Sequence, residues 1–272
     1  MLGSIIGDVA GSIYEFDNIK TKDFELLAVR GAITDDSIMT LATADWLLKG
    51  GEPGKFYVRY ANENPRPLGG YGTMFAHWLR EVEVTGKIEP YTSCGNGSAM
   101  RVGPVGWVFN EGEEDKLLEC AKESAACTHN HPEGVKGAQA TALAIFLARM
   151  GKKPEEIAKA ITEKFGYDLS LTVDEIRPRY SWEGLDGKEN GGTCQGSVPQ
   201  AIICALQATD FEDAVRNAVS IGGDSDTLAC IAGSIAEAMF GIPEEIRTKA
   251  LEFLRPEYVE VLNAFESKYS KG

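Results

Sequence analysis

The sequence predicts an all-α protein, a single multi-helix bundle, and three observations carry that prediction. Apolar residues recur at helical spacing through most of the chain. Pro132, Pro154 and Pro243 stand at the starts of such segments, where a first helical turn tolerates proline. Alternating apolar and polar residues, the mark of a half-buried strand, are scarce. The stretch "FELLAV" around Leu26 is the best strand candidate, and it is short.

The opening "MLGSIIGDVAGSIYEF" is apolar, lacks a basic start and carries Asp8 inside, so it predicts a core helix rather than a signal peptide. In "DSIMTLATADWLLKG", Ile38, Leu41, Ala42, Ala44 and Leu48 mark one broad face, and Gly50 is the expected stop. Similar patterns predict helices over 113–127, 132–150, 154–165, 195–206, 211–219, 228–240 and 243–264. The longest irregular stretch, "GYDLSLTVDEIRPRYSWEGLDGKENGGTCQGS", is rich in aromatics. That argues for an ordered loop, and long ordered loops are often functional. No Ser/Pro/Gly linker divides the chain, so one domain is expected over residues 1–272. "VAGSIYE" and "IAGSIAE" echo each other. Small residues let two helices pack closely without any duplication, and both helices are expected to cross near acidic residues.

Composition narrows the function classes. The chain has 272 residues, enough for a large core, and its 43 % apolar content argues against disorder. No apolar run approaches the ~20 residues that span a bilayer, so a cytoplasmic protein is the expectation. The six cysteines form no C-x-x-C pair, which points to buried free thiols rather than a disulfide framework or a zinc ribbon. A net charge of −14 repels nucleic acid and membranes at long range. An anionic substrate must then be held locally, by backbone N–H groups, a few cations or metal ions.

Two stretches carry the chemistry. In "GAITDDSIMT", Thr34, Asp35 and Asp36 precede an apolar helix. In "GGDSDTLACIAGS", Asp224, Asp226 and Thr227 do the same. One such group reads as a helix cap. Two of them predict a shared pocket where two helix starts converge. Four carboxylates there repel one another without a counterion. Oxygen-only ligands suit Mg²⁺ or Mn²⁺ better than zinc and can bridge two ions.

A third stretch, "SCGNGSAMR", is a Gly-rich loop that could turn N–H groups toward a phosphate, or could simply be a turn. It matches neither the P-loop nor the dinucleotide fingerprint, which disfavours an ATPase or a Rossmann enzyme. In "THNHPEG", His129 is read as a substrate contact and His131 as a loop residue before Pro132. "PLGGYGTMF" adds a further Gly-rich turn with Tyr71.

In order along nearly the whole chain, "GDVAGSIYE", "TDDS", "GYG", "GNGSAMR", "TH" and "GGDSDT" make this sequence resemble the ADP-ribosylglycohydrolase family. The resemblance implies an all-α fold, two Mg²⁺ or Mn²⁺ ions, and cleavage of the bond between ADP-ribose and its acceptor. It implies metal ligation by Thr34, Asp35, Asp36, Asp224, Asp226 and Thr227. It places Glu15 on a movable loop near the metals, and Glu15 and Asp35 are the candidate catalytic carboxylates. Ser93, Gly95, Asn96 and Gly97 match the loop that holds the diphosphate and distal ribose, and Gly72 and His129 match further substrate contacts. Where some relatives have an aromatic that stacks on adenine, this chain has Cys94, so that platform must come from elsewhere. The segment 167–194 matches no family motif.

The expected partner is ADP-ribose or an ADP-ribosylated protein, base or small molecule, with no membrane and no stable nucleic-acid binding. A monomer is the expectation. The alternatives are a non-catalytic ADP-ribose binder and a metal-dependent hydrolase of another phosphate-bearing small molecule.

Overall fold

Helix α1 (Leu2–Gly11) and a late helix (Ser225–Phe240) lie antiparallel with their backbones in contact. A Cβ on Gly3 would meet Gly233 O at 2.2 Å. One on Gly7 would meet Ala229 O at 1.9 Å, and one on Gly11 would meet the Asp226 backbone at 2.5 Å. Gly3, Gly7 and Gly11 repeat every four residues, so they form one bare stripe along α1. Ser4 and Ser234 seal the crossing with a 2.7 Å hydroxyl hydrogen bond. The expected close crossing of the two A-G-S helices near acidic residues is therefore present. It sets Asp226 directly against the end of α1.

The computed structural model describes residues 1–269. Among these, fourteen α-helices and one 3₁₀ turn are present and no strand. After α1 come α2 (Asp35–Lys49), α3 (Pro53–Glu63), α4 (Thr73–Thr85), the short α5 (Gly97–Met100), α6 (Glu114–Ala126) and α7 (Pro132–Arg149). Then follow α8 (Pro154–Phe165), the short α9 (Val173–Ile176), α10 (Cys194–Leu206), α11 (Phe211–Ser220), α12 (Ser225–Phe240), α13 (Glu244–Leu251) and α14 (Pro256–Tyr269). Helix α12 is buried from Ser225 to Ala236, and α1, α7, α10 and α11 pack around it. Helix α2 lies beside α1, with α3 and α14 on its outer side.

The helix ends follow from their sequences. The Thr34 hydroxyl accepts from the Asp36 N–H to start α2, and Gly50, at φ 75°, ends it. Thr193 and Asp210 cap α10 and α11 in the same way. All six cysteines are free thiols, and Cys194, Cys204 and Cys230 are buried.

Three sequence expectations need correction. "FELLAV" is a run of turns, not a strand. Leu26 and Leu27 are adjacent and both buried while Val29 is 92 % exposed, which no pleated alternation allows. The helix expected over 243–264 is two helices, because Pro256 opens α14 and disfavours helical backbone at Arg255 before it. The periodicity reading also passes over α3 and α4, although Phe75, Trp78 and Val82 bury one face of α4 at helical spacing.

Candidate active site

Asp8 is the brace on which the site is built. It is fully buried in α1 and accepts four hydrogen bonds from the start of α2. The donors are the Thr34 N–H at 2.9 Å, the Thr34 hydroxyl at 2.7 Å, the Ser37 N–H at 3.0 Å and the Ser37 hydroxyl. Burial pushes the Asp8 carboxyl up to about 6, against the hydrogen bonds from Ser37 and Thr34 that pull it down. The Thr34 hydroxyl has one proton and gives it to Asp8 at 2.7 Å rather than to Asp36 at 3.4 Å. Thr34 thus serves as cap and brace in the metal-free chain, and it is not among the residues that line the cavity.

The two helix starts meet above that brace. Asp36 and Thr227 stand 191 positions apart, yet the Thr227 hydroxyl donates to Asp36 Oδ2 at 3.2 Å. Asp224 is fixed from the Gly-rich loop, where Asn96 Nδ2 donates to its Oδ2 at 2.7 Å. Carboxylate oxygens of Glu15, Asp224 and Asp226 all lie within 4.8 Å of one another. Asp36 Oδ1 is buried with no hydrogen-bond partner among the described residues. Burial first, and then repulsion from neighbouring carboxylates, holds Asp35, Asp36 and Asp226 well above the usual carboxylate range. Burial also raises Asp224. An oxygen-only donor set, an orphaned carboxylate oxygen and this much unrelieved negative charge fit hard divalent cations.

Glu15 sits on the turn after α1 and is held from three sides. Asn18 Nδ2 donates to the carbonyls of Tyr14 at 2.7 Å, Glu15 at 3.0 Å and Gly223 at 2.9 Å, and Asn18 Oδ1 accepts from the Gly223 N–H at 2.7 Å. The Trp182 indole N–H donates to Glu15 O at 3.0 Å. Gly69, at φ 76°, passes so close that a Cβ there would lie 2.6 Å from Glu15 Oε2. Burial, with Asp224 and then Asp8 adding repulsion, pushes the Glu15 carboxyl up to about 7.

A cavity of about 430 Å³ opens above these acids. It is lined by Glu15, Asp35, Asp36, Asp224, Asp226 and Thr227 on one part and by Gly72, Ser93, Gly95, Asn96, Gly97 and His129 on another. The separate sequence motifs therefore share one space, Thr34 excepted. His131 lies apart from it and caps α7, its Nδ1 accepting from the Glu133 N–H at 3.1 Å. The Gly-rich loop has fewer free N–H groups than its sequence suggests. The Gly95 N–H donates to Ser93 Oγ at 3.0 Å, and the Asn96 N–H donates to Gly192 O at 3.1 Å.

The segment 167–194, unassigned by sequence, walls this cavity. Gly192 and Trp182 line it, and the Cys194 N–H donates to Cys94 O. Trp182 stacks on Phe16 with the rings 8° from parallel and their centroids 6.2 Å apart. Phe16 is 75 % exposed, so this aromatic pair reaches from the cavity to solvent. Sequence reasoning missed Asn18 and Trp182 and gave Asp8 no role in the site. Only Asp8 left a signal, as a lone acid inside an apolar helix. No helix among the described residues is long and apolar enough to cross a membrane.

Known proteins are similar to this chain along most of its length. The sequence profile of the ADP-ribosylglycohydrolases matches residues 1–270. The chain is 29 % identical to the ADP-ribosylarginine hydrolase Tri1 of Pseudomonas putida, over 89 % of this chain and 70 % of that protein. It is 27 % identical to the ADP-ribosylhydrolase ARH3 of Homo sapiens, over 90 % of this chain and 85 % of that one. A solved structure described as an ADP-ribosylglycohydrolase-related protein complex shares the fold, with a TM-score of 0.71 at 24 % identity over 98 % of this chain and 95 % of that one.

Proposed function

Because this chain belongs to the ADP-ribosylglycohydrolase family, we propose that it hydrolyses the glycosidic bond between ADP-ribose and an acceptor, with two Mg²⁺ or Mn²⁺ ions as cofactors. The observation that carries this reading is the meeting of Asp36 and Thr227 at 3.2 Å on the floor of the cavity, with Asp36 Oδ1 left without a hydrogen-bond partner among the described residues. The names of the relatives support the substrate class, and the acid cluster supports the cofactor.

Asp35, Asp36, Asp224, Asp226 and Thr227 would hold the cations, with Thr34 at the edge of the set beside Asp36 and Glu15 beside Asp224 and Asp226. Bound there, divalent ions supply Lewis acidity toward sugar hydroxyls and the attacking water. The chain's own residues do the rest. Asn96 and Thr227 fix the directions of Asp224 and Asp36, so the acid floor is set before substrate arrives. Ser93, the Gly95–Gly97 turn and His129 line the part of the cavity open to the diphosphate.

In the reaction, water oxygen bonds to the anomeric carbon and the bond to the acceptor breaks. The water gives up a proton, and the acceptor leaves with one. Glu15 stands in the cavity beside Asp224 and Asp226, so it is the carboxylate placed to take the proton from water or to give one to the acceptor. A panel of ADP-ribosylated arginine, serine, nucleobase and O-acetyl substrates, scored for free ADP-ribose with added Mg²⁺, Mn²⁺ or chelator, tests the proposal. Release from at least one substrate, abolished by chelator, is expected. No release from any of them, with ADP-ribose bound, is the result that would sink it.

A further inference from the structure

Arg101 is 1 % exposed and has no carboxylate partner among the described residues. Its guanidinium lies over the Tyr57 ring, 4.0 Å from the centroid, and one nitrogen donates to Ser124 O at 2.8 Å and to Thr128 Oγ1 at 2.7 Å. A lone buried cation is costly to a fold unless its surroundings use it. The next link shows what uses it. Thr128 Oγ1 and His129 Nδ1 are 2.7 Å apart.

The direction of that short bond turns on where the threonine hydroxyl places its one proton, since its two lone pairs could accept from both Arg101 and His129. A guanidinium only donates, so Thr128 Oγ1 must accept from Arg101. The threonine hydroxyl has one proton to place. Its two acceptors are His129 Nδ1 at 2.7 Å and Ala125 O at 3.4 Å. The shorter contact takes the proton. His129 Nδ1 is then an acceptor, and the ring proton is on Nε2.

Nε2 faces the cavity. It lies beside Gly95 and Gly97, which line the same cavity: a Cβ on Gly97 would sit a tight 3.2 Å from it, and one on Gly95 an ordinary 3.5 Å. We infer that Arg101, acting through Thr128, holds the His129 ring as its Nε2–H tautomer, so that His129 offers the cavity a hydrogen-bond donor and not a base. Arg101 and Thr128 are thus positioning residues for His129. The ligand group this edge takes is an acceptor oxygen. Under the ADP-ribose reading, on which this part rests, that group is an oxygen of the diphosphate or of the distal ribose. Burial, with Arg101 adding repulsion, also disfavours the doubly protonated ring, in keeping with the same arrangement. His129 therefore takes no proton from water or acceptor, which leaves that task to the carboxylates.

Histidine-selective ¹⁵N labelling of the full chain tests the assignment, since only His77, His129 and His131 contribute signals. In the ligand-free protein, His129 should show an unprotonated Nδ1 and a protonated Nε2, unchanged from about pH 6 to about pH 8. Thr128→Val should release the ring to a mixture of tautomers and weaken ADP-ribose binding roughly tenfold, the cost of one lost hydrogen bond. Thr128→Ser should restore both. A proton on Nδ1 in the wild-type protein, titration within that range, or an unchanged tautomer in Thr128→Val overturns the inference. The wild-type spectrum decides even if the valine variant fails to fold. Wild-type protein that shows the expected tautomer yet binds no ADP-ribose supports the tautomer assignment and overturns the functional reading instead.

Discussion

Asn18 and Gly223 are joined by a reciprocal pair of hydrogen bonds, Nδ2 to Gly223 O at 2.9 Å and Gly223 N–H to Oδ1 at 2.7 Å. The same amide holds the carbonyls of Tyr14 and Glu15. One exposed side chain therefore ties the Glu15 turn to the residue just before Asp224. Asn18 is itself exposed, so these hydrogen bonds are what call for an asparagine there. Asn18→Ala should leave the fold intact and lower turnover about tenfold, by loosening Glu15 against Asp224. Asn18→Asp should do no better, because a carboxylate cannot donate to three carbonyls. Steady-state rates with thermal melts of both variants check this. An unchanged rate in Asn18→Ala would show that Trp182 and Gly69 suffice to place Glu15.

Asp36→Ala and Asp226→Ala should each cut turnover by at least ~100-fold, beyond the usual cost of losing a residue that only supports a metal ligand. The metal-free proteins should melt higher than wild type, because one of several crowded buried carboxyls is gone. Magnesium should then stabilise the variants less than it stabilises wild type. Paired melts with chelator and with Mg²⁺ give both quantities. Wild-type rates at limiting metal in either variant would remove these residues from the cation site.

The pH dependence of the metal-free protein has a definite sign. The Asp8 carboxyl rises from 3.8 to about 6 on folding, and that of Glu15 from 4.5 to about 7. Between the unfolded and folded values the unfolded chain has released protons that the folded chain still holds. Their contribution to stability is complete below the unfolded values and is lost as pH rises through the folded ones. The melting temperature in chelator should therefore fall between about pH 4.5 and about pH 7. Added Mg²⁺ should raise it most at the upper end, where the acids are ionised. A chelated protein that melts higher at pH 7 than at pH 5 would contradict the raised carboxyls.

How much of this was legible in the sequence differs by residue. Asp35, Asp36, Asp224, Asp226 and Thr227 stand at helix starts in two matching groups, and local pattern was enough to pair them. Thr34 belongs to the same pattern, yet its hydroxyl turns down to Asp8, a choice set by packing of α1 against α2 and invisible to spacing. Trp182 acts on Glu15 from 167 positions away, with no motif around it. The Gly-rich loop left two readings open, N–H groups toward a phosphate or a plain turn, because the partners of those groups, Ser93 Oγ and Gly192 O, are fixed only by the fold. Leu26 and Leu27 show the opposite limit: apolar content looked like a strand, while two adjacent buried side chains demand a turn.

Glu15→Gln separates proton transfer from placement. Glutamine keeps the shape of the side chain and an oxygen near Asp224 and Asp226, but it cannot give up or take a proton near neutrality. General acid–base help is typically worth ~10²–10⁴ in rate. Single-turnover cleavage should fall by that order. Affinity for ADP-ribose should change by less than ~10-fold, because Ser93, Asn96 and His129 line the other part of the cavity unaltered. The loss then lies in the transition state alone, which is the signature of an interaction made only there. A parallel drop in rate and affinity would identify Glu15 as a residue that places cations or substrate. In that case Asp35, the remaining half-buried carboxylate on the cavity wall, becomes the proton carrier to test next.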